Sequence, residues 1–98
     1  MNRLEHLLTI GGEECNEIGQ RFSKAARFGM LEIQPGQSLT NRERILGEFA
    51  DLCGALELMT PGATIDGLVA VLRPQIDAKK AKVEKFLLYS EKCGTLTP

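Results

Sequence analysis

Tryptophan is absent from the 98 residues, tyrosine and histidine occur once each, and four phenylalanines complete the aromatic set. So sparse a supply excludes the stacking platform on which single-stranded nucleic acid is held. Neither sign of charge is in excess: 12 Lys and Arg stand against 13 Asp and Glu, a formal net charge of −1. A phosphate backbone demands a basic domain or stripe, so nucleic acid is excluded as a partner on electrostatic grounds as well. Long hydrophobic runs are missing too. The longest apolar stretch of note, LVAVL at 68–72, falls far short of the ~20 residues of a membrane span, and MNRLEHLLTIGGEE meets acid too early for a signal peptide. The expectation is a soluble, cytoplasmic protein with no membrane partner. Cys15, Cys53 and Cys93 are odd in number and lack C-x-x-C spacing, which signals neither a disulfide framework nor a zinc site. Cys15 and Cys53 fall on apolar stripes and are predicted to be buried reduced thiols; Cys93 falls in a tail.

What is present is helical periodicity. A chain of this length is expected to form one domain, residues 1–98, that buries only about two thirds of its unfolded surface, so oligomerisation is a reasonable expectation. Leu4, Leu8, Cys15, Ile18, Phe22 and Ala25 recur at helical spacing, with Gly11 on the same stripe. They predict a first helix from Arg3 to Phe28 closed by Gly29. GMLEIQPGQSLT carries a Pro-Gly turn and no sustained period, hence a connection. Thr40 with Glu43 three residues later has the form of a capping box, opening a second helix to Met59 with the stripe Ile45, Phe49, Leu52, Cys53, Leu56 and Met59. TPGAT is a turn with Thr64 as N-cap of a third helix over IDGLVAVLR. Pro74 suits the first turn of a fourth, from Pro74 to Ser90, before a frayed tail at 93–98. No stretch alternates with period two. The predicted class is all-α: a bundle of about four helices, two of them long and antiparallel.

Carboxylates interrupt this pattern. Glu14 and Glu17 are three apart on the first helix, and Glu48 and Asp51 three apart on the second, so each pair shares a helical face. At about 100° per residue the first stripe centre lies roughly 70° from Glu14, with Glu17 about 60° beyond. The second lies roughly 80° from Glu48, with Asp51 about 60° beyond in the same sense. Antiparallel helices packed by their stripes are related by a two-fold axis, which preserves rotational sense. Equal offsets therefore bring both pairs to one side of the helix pair, at the rim of the core. Four converging carboxylates repel one another, and a hard divalent cation resolves the conflict. Di-iron bundles add histidines through Glu-x-x-His pairs, whereas the single His6 lies about two turns before the first acids. An all-oxygen set favours Mg²⁺, with Mn²⁺ able to substitute, and Mg²⁺ in such a site is commonly shared with substrate phosphates. Arg21 and Lys24 lie on the same face one to two turns further along, with Arg27 beyond, where cations would meet phosphate oxygens.

The pattern E-E-x-x-E followed by E-x-x-D, here EECNE at 13–17 and EFAD at 48–51, resembles the MazG-like all-α nucleoside triphosphate pyrophosphohydrolases. SKAARFG at 23–29, NRERILGEFADLCGALELM at 41–59 and KKAKVEKFLLYS at 79–90 are similar to the short, single-module members found in phages and bacteria. The resemblance implies cleavage of a (d)NTP between the α and β phosphorus atoms to a monophosphate and pyrophosphate, an enzyme of nucleotide-pool control. It implies Glu14, Glu17, Glu48 and Asp51 as Mg²⁺ ligands, with one of the glutamates or the neighbouring Glu13 orienting and deprotonating water. It also implies a homo-oligomer, dimer or dimer-of-dimers tetramer, with nucleotide pockets near subunit contacts. Lys24, Arg27, Lys79, Lys82 and Lys85 are candidate phosphate contacts; Asn41 and Tyr89 are candidates for base or sugar, Asn41 being equally well placed to open a capped helix. The base is not legible in the sequence; guanine nucleotides are the working candidates. Rival readings are a phosphoribosyl-ATP pyrophosphohydrolase and a non-catalytic helical adaptor of the same fold.

Overall fold

The computed structural model describes residues 1–97. Among them are three α-helices and no strand: α1 (Arg3–Phe28), α2 (Asn41–Met59) and α3 (Ile65–Lys92). The chain, expected as one domain, divides into two compact units, Met1–Ile65 and Asp66–Pro98.

In the first unit local chemistry sets the helix limits. The Asn2 side chain accepts from Glu5 N at 2.8 Å to start α1. Gly29 ends it at φ 102°, its N–H donating to Ala25 O, a backbone conformation that an L side chain disfavours. The capping box at Thr40 is complete: Thr40 Oγ1 accepts from Glu43 N, and Glu43 Oε1 accepts from Thr40 N, each at 3.1 Å. Between the helices, Pro35-Gly36 forms the turn, with Gly36 at φ 84° and Gln37 N donating to Gln34 O. The loop is then fastened to the head of α2, where Asn41 N donates to Glu32 O and Arg42 N to Met30 O. At the other end of α2, Glu57 Oε2 accepts from Ile65 N at 2.8 Å, closing the TPGAT turn.

α1 and α2 form an antiparallel hairpin whose seam differs from the predicted stripes. The positions that lose solvent on α1 are chiefly Leu7, Gly11, Glu14, Ile18, Arg21 and Ala25; on α2 they include Asn41, Ile45, Glu48, Leu52, Ala55 and Met59. Both sets step alternately by four and three residues, the heptad spacing of paired helices. Gly11 is buried where a Cβ would lie 3.0 Å from Met59 Cε, so this end of the seam closes by the absence of a side chain. The stripe expected to form the core is instead exposed over much of its length: Leu4 is 53% exposed, Phe22 58% and Phe49 52%. Cys15 is likewise exposed and Cys53 only half-buried. The prediction of two buried thiols is thereby corrected, because the seam lies to one side of the most apolar face.

α3 forms the second unit and corrects the helix count. It runs unbroken for 28 residues with Pro74 inside it, where a third and a fourth helix were expected. Proline in a helix interior removes one hydrogen bond and crowds the carbonyl four residues back, costing about 3 kcal/mol. Good helix formers on both sides, AVLR before and DAKKAKVEKFLL after, keep the remaining turns intact. Cys93 N, Gly94 N and Thr95 N donate to Tyr89 O, Glu91 O and Ser90 O, with Gly94 at φ 76°. The first three residues of the expected frayed tail thus form the helix's C-terminal cap; Pro98 lies outside the described residues. No described helix is long and apolar enough to cross a membrane.

Candidate metal centre

Four residues per turn, less a fraction, puts Glu14, Glu17, Arg21, Lys24 and Phe28 in one stripe along α1: two acids, two bases and an aromatic ring. Glu48 and Asp51 face its acidic end from α2. Carboxylate oxygens of Glu14, Glu17 and Glu48 lie within 4.8 Å of one another. Glu14 and Glu48 occupy seam positions and are half-buried, whereas Glu17 is exposed at the mouth. The electrostatics couple these acids across the hairpin as well as along each helix. The Glu48 carboxyl is held above its usual range first by hydrogen bonding with the Glu17 side chain, then by burial and by the Glu17 and Asp51 charges, with Arg21 opposing. Glu14 is raised by burial and by the charges of Asp51, Glu48 and Glu13, with a hydrogen bond from Glu17 opposing.

Among the described residues one cation is paired with this group. Arg21 Nε lies 3.8 Å from Glu48 Oε1, beyond hydrogen-bond length. Glu14 Oε2, Glu48 Oε2 and two Arg21 nitrogens are buried without hydrogen-bond partners among the described residues. Buried polar atoms are ordinarily paired, and an unpaired one costs about 1–3 kcal/mol. Two orphaned carboxylate oxygens beside a third carboxylate form a donor set of the hard, all-oxygen kind that suits Mg²⁺ or Mn²⁺. The acids expected at the rim of the core therefore sit partly within it, because the seam runs through Glu14 and Glu48.

The remaining candidates are dispersed. Glu13 is exposed beside the cluster, and Asp51 is exposed and outside the group of three. Lys24 is half-buried and lines a cavity at the loop end of the hairpin with Phe28, Glu32, Gln34, Pro35 and Asn41. The Arg27 guanidinium lies 5.0 Å from the Phe28 ring centroid. Asn41 is only 2% exposed, and its amide nitrogen donates to Gly29 O at 2.8 Å and Glu32 Oε1 at 3.0 Å; it ties the loop to α2, the capped-helix role the sequence also allowed. In the second unit Lys79 borders a shallow groove with Leu72 and Ile76. Lys82 Nζ lies 5.8 Å from the Phe86 ring, while Lys85 and Tyr89 are exposed. His6 is exposed and outside the acidic group.

Sequence reasoning places Arg21 toward phosphate rather than against Glu48, and gives no site role to Phe28, Glu32 or Gln34. Phe28 was findable, since it extends the 14, 17, 21, 24 progression by one step. Glu32 and Gln34 lie in an aperiodic loop that offers no such signal.

Comparison with family models, curated proteins and solved structures finds no match to this chain.

Proposed function

We propose that the protein is a Mg²⁺-dependent nucleoside triphosphate pyrophosphohydrolase, converting a (d)NTP to a (d)NMP and pyrophosphate. The observation that carries the reading is the group Glu14, Glu17 and Glu48, three carboxylates with oxygens within 4.8 Å of one another, paired among the described residues with Arg21 alone. Glu14, Glu17, Glu48 and Asp51 would hold the metal. When bound, Mg²⁺ or Mn²⁺ lowers the pKa of a coordinated water and offsets charge on the phosphates. The chain's own residues do the rest. Glu13, at the solvent edge of the cluster, is suited to take the proton of the attacking water, a task it shares with Glu14 and Glu17. The water oxygen bonds to phosphorus as the bridging α–β oxygen departs with the other phosphoryl group. Lys24 and Arg27, further along the same helix, meet phosphate oxygens.

A second copy of the chain is proposed for the uncovered apolar face bearing Leu4, Leu8, Phe22, Leu46 and Phe49. Each is more than half exposed, Phe22 and Leu46 line one shallow apolar hollow, and exposed apolar surface of this kind suits a subunit contact. The deciding experiment is a panel of the eight common NTPs and dNTPs with Mg²⁺ or Mn²⁺, followed for pyrophosphate and monophosphate. Orthophosphate release would sink the proposal in favour of a different phosphohydrolase, and no turnover of any of them or of phosphoribosyl-ATP would favour the adaptor. Turnover of phosphoribosyl-ATP alone would move the assignment to the histidine-biosynthetic reaction.

A further inference from the structure

We infer that the cavity lined by Lys24, Phe28, Glu32, Gln34, Pro35 and Asn41 is the nucleobase pocket of the proposed enzyme, and that it selects guanine. This rests on the pyrophosphohydrolase reading and adds the substrate's identity to it.

Position is the first argument. Lys24 is seven residues past Glu17 on α1, and Asn41 is seven residues before Glu48 on α2. Because the helices are antiparallel, both offsets run toward the loop, and each amounts to about 10 Å at 1.5 Å per residue. Acids, then Arg21 and Lys24, then an apolar recess is the order in which a nucleotide presents phosphates, sugar and base. Arg44, which joins the same end of the hairpin by donating from Nη1 to Gln34 Oε1 at 3.0 Å, adds a third cation between the two.

Size is the second. The recess measures about 210 Å³, below the roughly 300–1,000 Å³ of pockets that enclose a whole drug-sized ligand. It suits one flat ring system whose remainder lies along the hairpin. Phe28 and Pro35 supply apolar walls, and a ring face is the surface against which a base stacks.

The hydrogen-bonding edge is the third, and it decides the base. Arginine only donates, so its bond to Gln34 fixes the carboxamide with the oxygen toward Arg44 and the NH₂ free to donate. Both hydrogens of the Asn41 amide nitrogen are engaged, which leaves its Oδ1 as an acceptor. Glu32 accepts that one bond through Oε1 at 3.0 Å, and its Oε2 takes no hydrogen bond from the described residues. The polar groups left to a ligand are thus the Glu32 carboxylate, which accepts two adjacent donors, the Asn41 Oδ1 acceptor, and two donors that meet acceptors, the Gln34 NH₂ and the Lys24 ammonium. Guanine alone among the common bases has N1–H and the 2-amino group side by side with O6 next in line. Adenine offers one amino group, and uracil and thymine a single N–H between two acceptors.

The test is calorimetric titration of the full chain, with Mg²⁺, by the uncleavable α,β-methylene analogues of GTP, ATP, CTP and UTP. Wild type is expected to bind the guanine analogue about tenfold or more tightly than the others. Glu32→Gln retains the Oε1 that holds Asn41, so it should melt as wild type does and lose that preference. Phe28→Leu should weaken all four alike. Equal binding of all four analogues, a preference for another base, or a guanine preference that survives Glu32→Gln would overturn the pocket assignment and leave the enzyme reading standing. No binding of any analogue would overturn both.

Discussion

The seam between α1 and α2 has closed ends and an open middle. At one end Leu7, Gly11, Ala55 and Met59 pack, with Gly11 close enough that an added Cβ would meet Met59 at 3.0 Å. At the other, Ala25 meets the head of α2, where Asn41 is held by two side-chain hydrogen bonds and one backbone bond to the loop. In the middle Glu14, Arg21 and Glu48 occupy equivalent heptad positions and leave four buried polar atoms without partners among the described residues. The ends stabilise the pair through contact and satisfied hydrogen bonds. The middle withdraws charge from water with no adequate return, so the ends must carry it. Such a division is the usual mark of a binding centre held between rigid supports.

Substitutions can break that contrast. The largest effect is expected on turnover: Glu17→Gln and Asp51→Asn should each lower pyrophosphate release by about 100-fold or more, with unchanged or raised melting temperature in metal-free buffer. Clear destabilisation of both metal-free variants would argue instead that these acids are structural. Next comes the closed end. Gly11→Leu should lower unfolding free energy by about 1–3 kcal/mol in denaturant titration, because the seam there has no room. A gain of stability would show the end to be loosely packed. Thr40→Ala removes half of the capping box and should cost about 1 kcal/mol without altering metal binding, which would be read by Mn²⁺ titration.

The smallest expected effect, and the sharpest on the middle, is in pH dependence. Glu14 and Glu48 have folded-state pKa values raised above the ordinary glutamate range, so the native state holds protons that the unfolded chain has released. Stability of the metal-free protein should therefore fall as pH rises through the interval between the ordinary and the raised values. Saturating Mg²⁺ should flatten this slope, and Glu14→Gln should reduce it and raise the melting temperature near neutral pH. Glu43, lowered by its bonds from Thr40 N and Oγ1, works in the opposite sense at more acid pH. Its stabilisation is lost as pH falls through its depressed value. Melting temperatures across pH, with and without Mg²⁺, separate the two.

Much of the hairpin was legible because its limits are local. Gly29 ends α1 and the Thr40–Glu43 box opens α2 where the spacing predicts them, since caps depend on residues three or four apart. Pro74 misled because its helix-breaking tendency is also local, whereas continuity of α3 depends on the turns to either side. The rotation of the seam was hidden for a different reason. Apolar periodicity shows that a face is shielded from water but not by what, and on α1 the most apolar face, with Leu4, Leu8 and Phe22, is not the face toward α2.

The sequence by itself determined the helices of the hairpin, the turn between them and the presence of paired acids with matched offsets, because all three are properties of spacing along one chain. Only the tertiary structure decided that Glu14 and Glu48 enter the seam, that Arg21 stands against Glu48, and that Glu32 and Gln34 reach the cavity beside Lys24. Those placements depend on how one helix is rotated against another and on where a loop is fastened, and neither is encoded in the period of a single segment.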